Sequence, residues 1–290
     1  MSAIDTSLLA KAIKLLEEEQ VVAIPTETVY GLAGNLFSEK AVSTIYSLKK
    51  RPPSNPLIAH VATLDAAFSL IKAFPEPLLA LAKRFWPGPL TILLEKSSIV
   101  PNTVTAGSNK IAIRIPAHSH TQALLQRLSF PLVAPSANPY TRISPTTAEH
   151  VAYYFGSSIP LILDGGPCKL GLESTIIGFE NNAPVLYRQG ALEIEMIEQL
   201  IGPVTIFNKK NDETPTPGLA ARHYAPTTST LLCDRTEIPT LFDKESAVVL
   251  FREPIAEIPL QQQFLLAESG RSEEHTSELQ SRFGISYAVF

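Results

Sequence analysis

The stretch "SLKKRPPSNPLIAHV", residues 47–61, contains the pattern that decides the fold. An apolar face that includes Ile45 and Leu48 predicts a helix ending here, two prolines stop it, and an apolar run begins at Pro56. Helix, short loop and buried strand, in this order, form the repeating unit of α/β proteins. The same stretch places three cations, residues 49–51, at the junction, which raises the question of what they hold.

The alternation continues along most of the chain. After an amphipathic helix within residues 1–20, short β-rich runs alternate with helical patterns, which predicts an α/β sheet with helices packed on it. The predicted strands are residues 21–24, 56–61, 90–95, 110–115, 131–134, 160–163, 174–179 and 184–187. The predicted helices are residues 38–48, 63–73, 119–128, 145–155 and 192–201.

Composition limits the class of protein. The chain has 290 residues, of which 45% are hydrophobic, enough for one substantial core and part of a second. A net charge of −4 argues against a dedicated nucleic-acid binder with a broad basic face. Cys168 and Cys233 form no C-x-x-C pair, so neither a disulfide framework nor a zinc site is indicated, and a reducing, cytoplasmic setting is expected. Residues 1–20 carry acids and no long apolar run, so no signal sequence or membrane span is expected.

Four segments are predicted from changes in composition. Residues 1–207 form the large α/β domain, and the proline-rich residues 208–228 form a linker. Strand-like runs at 229–234 and 246–251 begin a small α/β domain, residues 229–270, which we expect to be truncated. The run "RSEEHTSELQS" resembles the translation of a sequencing-library adapter, so residues 271–290 are interpreted as an assembly artefact.

Cations stand at the ends of several predicted elements. Lys49 and Arg51 follow a helix, where they either complement the helix dipole or bind phosphate oxygens. In "KIAIRI", residues 110–115, Arg114 alternates with the isoleucines and points to the other sheet face, where it is either solvated or part of a site. Arg188 ends another strand. Together these cations indicate a site for a polyanion.

An S-x-N motif supplies possible partners for these cations. Ser136 and Asn138 follow a buried strand, and loops at strand ends of α/β sheets are where ligands bind. Ser144 is predicted to cap the next helix, with Pro145 at its first position. Neither G-x-x-x-x-G-K-[ST] nor G-x-G-x-x-G occurs, and the histidines form no metal-ligand cluster. We therefore expect no protein-held metal, and Mg²⁺ would arrive with a nucleotide.

The motifs together resemble a known family. Eight segments are similar, in order, to the two-domain form of the threonylcarbamoyl-AMP synthase family, whose catalytic domain is YrdC-like. They are "IPTETVYGLAGN" (24–35), "KKRPPSNPLIAH" (49–60), "FWPGPLTILLE" (85–95), "IAIRIP" (111–116), "APSAN" (134–138), "GLESTII" (171–177), "YRQGAL" (187–192) and "RHYAP" (222–226). The resemblance implies a twisted, open sheet with flanking helices around a concave, positive cavity.

It also implies an activity. The family is a group of nucleotidyltransferases that make threonylcarbamoyl adenylate and pyrophosphate from L-threonine, bicarbonate and ATP, as the first step of tRNA t6A modification. Mg²⁺ would be carried with ATP. A separate tRNA threonylcarbamoyl-transfer complex would act downstream, and the resemblance leaves a weak direct contact with tRNA open.

Site residues follow from the same resemblance. The residues that would surround threonine and the nascent carbamate are Thr28, His60, Arg114 and Ser174. The residues that would hold ATP are Lys49, Arg51, Asn55, Ser136, Asn138, Ser144 and Arg188. Lys49 and Arg51 would also act in catalysis by stabilising charge on the phosphates, and Tyr224 of the linker would close over the nucleotide.

Two alternatives stay open at this point. A YrdC-like module without adenylate-forming activity would use the same basic surface to bind RNA, although RNA binding does not need Thr28, Ser174 or Tyr224. A histidine within an apolar strand is also often a hydrogen-bonded core residue, which is the competing interpretation of His60.

Overall fold

The computed structural model describes residues 5–207, 231–250 and 253–265. Its helices are α1 Thr6–Glu17, α2 Glu39–Lys49, α3 Leu64–Ser69, α4 Glu76–Phe85, α5 Asn102–Thr105, α6 Ser119–Leu125, α7 Ala148–Phe155, α8 Ile194–Ile201 and α9 Ile238–Leu241. Its strands are β1 Val22–Ile24, β2 Gly31–Asn35, β3 Ile58–His60, β4 Leu90–Glu95, β5 Lys110–Arg114, β6 Leu132–Val133, β7 Thr175–Glu180, β8 Ala183–Arg188, β9 Thr205–Ile206, β10 Val248–Leu250 and β11 Gln263–Leu265.

Nine of the strands form one mixed sheet in the order β1-β2-β6-β3-β5-β4-β7-β8-β9. The pairs β3–β5, β4–β7 and β8–β9 are parallel, and the other five pairs are antiparallel. Helices lie on both faces of this sheet, as the burial of β1 illustrates. Ala23 belongs to the large core with Ile45 of α2, whereas Val22 and Ile24 belong to a second core with Leu9 of α1. Because side chains alternate along a strand, both faces are covered.

Local sequence explains where several helices begin. Ser38 accepts a hydrogen bond from Ala41 N at the start of α2, and Thr63 does the same for Ala66 N at the start of α3. α2 ends at Lys49, and its cap residue Lys50 adopts a left-handed conformation with φ 50°. The predicted helix end before "RPP" is therefore confirmed.

Ser144 does not cap the helix, contrary to the prediction. α7 begins at Ala148, and Thr147 Oγ1 accepts its capping hydrogen bond from His150 N at 3.3 Å. Pro145 lies before the helix because its carbonyl accepts a hydrogen bond from Tyr30 N at 2.8 Å. The segment before α7 is thus bonded to the chain entering β2 instead of starting a helical turn.

Several other elements differ from prediction: besides the short α5, β9, α9 and β11, which were not predicted, there are two larger additions and one loss. β2, with the sequence GLAGN, and the amphipathic α4 lie where no element was predicted. Residues 160–163 were predicted as a strand but contribute a single bridge, in which Ile162 pairs with Ala23. Both of the additional elements pack in the large core, and β2 links β1 to β6 in the sheet.

The described part of the C-terminal region forms a small unit of its own. β10 and β11 pair in parallel, and Val248, Leu250, Ile255 and Ile258 form its core. Residues 231–234 belong to the strand predicted at 229–234, but they form no strand. The predicted linker, residues 208–228, and the tail, residues 271–290, lie outside the described residues. Within the described ranges no helix is long and apolar enough to cross a bilayer.

Candidate active site

An open pocket lies where several strand ends of the large sheet meet. His60 and Arg114 end β3 and β5, which run parallel, and the two residues are partners in register. Arg188 ends β8, and Ser174 immediately precedes β7. The lining residues come from six stretches of chain: Thr26, Thr28, Val29, Gly31, Arg51, Pro56, Leu57, Ile58, His60, Arg114, Ala134, Pro135, Ser136, Glu173, Ser174 and Arg188.

Arg51 enters this pocket from the loop between α2 and β3. Its Nε donates to the carbonyl of Asn55 at 3.1 Å, and its Nη2 donates to Asn55 Oδ1 at 3.0 Å and to the carbonyl of Pro56 at 2.9 Å. The guanidinium also lies over the ring of Tyr140, whose hydroxyl accepts from Asn55 Nδ2. Asn55 therefore fixes the orientation of Arg51 and does not itself line the pocket.

Lys49 is placed differently from Arg51. Its side chain is 1% exposed, and Nζ donates to the carbonyls of Ser136 and Asn138, each at 2.5 Å. Lys49 is not among the pocket-lining residues. Burial and the neighbouring Arg51 lower its pKa well below the usual range, although Glu173 opposes this. In this structure Lys49 holds the S-x-N loop in place, a role not predicted from the sequence.

Arg114 lies at the floor of the pocket and is 4% exposed. Its Nε donates to the carbonyl of Gly88 at 3.1 Å, and its Nη1 donates to Thr28 Oγ1 at 2.8 Å. Thr26 Oγ1 donates to the carbonyl of Val29, so the hydroxyl of Thr28 donates to Thr26 Oγ1 at 2.8 Å. The interpretation of Arg114 as a solvated surface residue is therefore wrong.

Ser174 and Arg188 form the opposite wall. Arg188 Nη2 donates to the carbonyl of Ser174 at 2.8 Å and to its Oγ at 3.1 Å. Ser174 is 1% exposed, and its hydroxyl also pairs with that of Thr91 at 2.7 Å. Burial lowers the pKa of Arg188 to about 10, with Arg114 and Arg51 acting in the same direction and Glu173 against it.

His60 is neutral in this setting. Burial is the main cause that lowers its pKa to about 3, and Arg114 adds to the effect. Nδ1 lies 3.2 Å from the carbonyl of Ile58, which can only accept, so Nδ1 carries the proton. Nε2 is then an acceptor. His60 is both buried in a strand and a pocket-lining residue, so the two interpretations of it are compatible.

The ionisable side chains that line the pocket carry a net positive charge. Among its lining residues are three arginines and a single acid, Glu173. Glu173 accepts a hydrogen bond from Ser144 Oγ. Burial is the main cause of the lowered pKa of Arg188, and repulsion from Arg114 and Arg51 adds to it. A bound anion would relieve that repulsion, so the site favours ligands carrying several negative charges.

Seven of the predicted site residues line this pocket: Thr28, Arg51, His60, Arg114, Ser136, Ser174 and Arg188. Lys49, Asn55, Asn138 and Ser144 lie around it and contact its walls or loops. Tyr224 lies outside the described residues. Glu173 was not predicted, although its position beside Ser174 in "GLESTII" was a signal that could have identified it. Within the described ranges no group of three or more His, Cys, Asp or Glu side chains could hold a metal ion.

Two family models match this chain. Residues 14–190 match the Sua5, YciO and YrdC family model, described as "Telomere recombination". Residues 192–280 match a model described as "Threonylcarbamoyl-AMP synthase, C-terminal domain".

Relatives and solved structures lead to the same group. A threonylcarbamoyl-AMP synthase of Pyrococcus abyssi is 42% identical over 82% of this chain and 71% of its own length. One of Bacillus subtilis is 43% identical over 78% of this chain and 66% of its own length. The crystal structure of P. abyssi Sua5 complexed with L-threonine has a TM-score of 0.88 at 37% identity, covering 96% of this chain and 85% of that one. The chain therefore belongs to the threonylcarbamoyl-AMP synthase family.

Proposed function

We propose that this protein is an L-threonylcarbamoyladenylate synthase, a nucleotidyltransferase that forms threonylcarbamoyl-AMP and pyrophosphate from L-threonine, bicarbonate and ATP. The observation that carries the proposal is the convergence of Arg51, Arg114 and Arg188 with the hydroxyl groups of Thr28 and Ser174 in one pocket. A relative of the same family binds L-threonine in its crystal structure. The product would be used by a tRNA threonylcarbamoyl-transfer complex in the cytoplasm.

The pocket offers a different set of side chains to threonine and to ATP. Arg114 offers a guanidinium to the carboxylate of threonine, and Thr28 and Ser174 offer hydroxyl groups close by. Arg51 and Arg188 would bind the phosphates of ATP, with Ser136 and the S-x-N loop beside them. Mg²⁺ would enter as part of the nucleotide substrate and neutralise further phosphate charge.

The chemistry requires positioning and charge stabilisation. The neutral amine of threonine would combine with bicarbonate to give a carbamate and water. A carbamate oxygen would then attack the α-phosphorus of ATP, the bond between the α-phosphorus and the bridging oxygen would break, and pyrophosphate would leave. Arg51 and Arg188 would stabilise the charge on the phosphate oxygens, and no covalent enzyme intermediate is needed.

The alternative of an RNA-binding module has less support. Phosphate backbones bind cations that are accessible along a surface, whereas Arg114 is 4% exposed and Lys49 is 1% exposed. Both are already engaged by protein acceptors. Their burial favours a small ligand within the pocket.

Pyrophosphate release by the full chain tests the proposal. With Mg²⁺ and ATP, release should require both L-threonine and bicarbonate, and mass spectrometry should detect threonylcarbamoyl-AMP. Omitting either co-substrate is the matched control. Folded protein that releases no pyrophosphate, or releases it without threonine, would contradict the proposal.

A further inference from the structure

A buried ion pair lies behind the pocket, between Glu27 and Arg114. Glu27 belongs to the loop between β1 and β2 and is 7% exposed. Its Oε1 is 2.7 Å from Arg114 Nη2. Arg114 lines the pocket, but Glu27 does not. The carboxylate therefore acts on a ligand through the arginine and not by direct contact.

The Glu27 carboxylate contacts two residues that are close in sequence, Arg114 and Ala117. Oε1 faces the Arg114 guanidinium at the end of β5, and Oε2 accepts a hydrogen bond from Ala117 N at 2.9 Å. A single side chain thus fixes both the arginine and the turn that leaves its strand. Such a contact defines where the guanidinium lies relative to the sheet.

The contact itself is close but poorly aligned. Arg114 Nε and Nη1 have well-formed hydrogen bonds, to the carbonyl of Gly88 and to Thr28 Oγ1. Nη2 and Glu27 Oε1 are 2.7 Å apart, yet among the described residues neither atom has a hydrogen bond of acceptable angle. Charge attraction is the first of the Arg114 contributions that lower the pKa of Glu27, and Nη2 has a second N–H for another acceptor.

A negative charge at this position has a clear physical reason. An arginine that is 4% exposed would be costly without a counter-charge. Burial alone would raise the pKa of Glu27, but Arg114 and the amide of Ala117 outweigh that effect and lower it. The carboxylate is thus ionised at neutral pH.

We propose that Glu27 is a positioning residue that holds the Arg114 guanidinium in the orientation that receives the carboxylate of the amino-acid substrate. The inference rests on the proposed function for the identity of that substrate, L-threonine. It predicts an effect on threonine and none on ATP, because Arg51 and Arg188 hold the phosphates and neither contacts Glu27.

Glu27→Gln in the full chain is the test, since glutamine keeps the shape and loses the charge. Titration calorimetry should show the Kd for L-threonine rising on the order of tenfold, as for coupled groups in contact. The Kd for Mg-ATP should stay within about twofold, the spread expected for an uncoupled site. An unchanged threonine affinity in folded Glu27→Gln, or an equal loss for both ligands, would overturn the inference.

A matched control separates positioning from stability. Lys110 lies at the opposite end of β5 from Arg114, and it forms a part-buried ion pair with Glu180. Neither Lys110 nor Glu180 lines the pocket. Glu180→Gln should leave threonine affinity unchanged. Arg114→Lys completes a double-mutant cycle, in which the threonine effects of Glu27→Gln and Arg114→Lys should be non-additive. Additive effects would contradict action through Arg114.

Two further outcomes are distinguishable. If Glu27→Gln does not fold, Glu27→Asp replaces it, because aspartate keeps the charge on a shorter side chain. Glu27→Asp should weaken threonine binding and leave ATP binding unchanged. A threonine affinity equal to that of the wild type would overturn the inference. If the wild type binds threonine but makes no threonylcarbamoyl-AMP, the proposed function fails, and a selective threonine defect in Glu27→Gln still supports the positioning role. A wild type that binds no threonine overturns both.

Discussion

Two cations only two residues apart have different environments. Lys49 is satisfied by two carbonyls of the S-x-N loop, whereas Arg51 is anchored at Asn55 and Pro56 and lines the pocket. The helix ends between them, because Lys50 takes the left-handed conformation that reverses the chain. The K-x-R spacing thus directs one side chain into the protein and the other towards the ligand.

Arg51→Ala should remove a phosphate contact without unfolding the protein. We expect kcat/KM for ATP to fall on the order of 100-fold, as when one stabilising donor is lost. The loop loses hydrogen bonds to Asn55 and Pro56, so the free energy of unfolding should fall by about 1–3 kcal/mol. Pyrophosphate release and guanidinium unfolding measure the two effects. Arg84→Ala, at an exposed cation of α4, is the control, and near-normal turnover of Arg51→Ala would refute the phosphate role.

His60 should make stability depend on pH. Its pKa is about 3 in the fold and about 6.5 in the unfolded chain, so the unfolded state binds more protons between these values. The stabilisation is complete above pH 6.5 and is lost as the pH falls towards 3. The wild type should therefore lose up to about 1.4 kcal/mol per pH unit more than His60→Gln over that range. Urea unfolding at pH 7 and pH 5 measures this, and parallel losses in both proteins would contradict it.

Sequence patterns predicted some of these residue positions and not others. The alternation in "KIAIRI" correctly placed Arg114 on the face opposite the isoleucines, because a strand has a fixed period. The acceptors of Lys49 lie 87 and 89 residues away, and no local pattern identifies them. Glu173 was missed although it neighbours Ser174, since its role depends on a pocket built from separate strands.

At the scale of elements, the periodicity of apolar residues and the helix-capping residues predicted most strands of the large sheet and most of the helices packed on it. β2 was missed because GLAGN has low β propensity. Small residues are needed there: a Cβ at Gly34 would lie 3.1 Å from that of Ala41, and one at Gly31 3.1 Å from that of Ala134. α4 carried a usable signal, since Leu78, Leu81 and Ala82 recur at helical spacing.

The segment after β8 packs tightly on the start of β7, which gives an element-scale prediction. A Cβ at Gly190 would lie 2.4 Å from the carbonyl oxygen of Glu173 and 2.6 Å from Thr175 N, both backbone atoms. Gly190→Ala should therefore lower the free energy of unfolding by about 1–3 kcal/mol. It should also weaken ATP binding, because Arg188 and Ser174 are held by the same two segments.

Denaturant unfolding and calorimetry with ATP measure these two effects. Gln189→Ala, at the exposed neighbouring position, is the matched control. Equal stability of Gly190→Ala and Gln189→Ala would contradict this prediction, because it would show that the two backbone segments can separate without loss of stability.

At the scale of the whole molecule, the two units differ greatly in core size. The large sheet has extensive cores on both faces, whereas the described part of the C-terminal unit buries four hydrophobic residues in its own cluster. So small a core supplies little independent stability. The domain boundaries predicted from composition stay a prediction, because residues 208–228 lie outside the described ranges.

The single tryptophan makes the relation between the units measurable. Trp86 packs against Phe74 in the large unit, and its Nε1 donates to the carbonyl of Leu90 at 2.7 Å. Among the described residues, the cores of the large sheet draw on residues 9–207 alone. Removing residues 208–290 should therefore leave the midpoint of guanidinium unfolding, followed by Trp86 fluorescence, unchanged. The full chain is the control. A lower midpoint in the shortened chain would mean that the C-terminal region stabilises the catalytic sheet, and that the two units unfold as one.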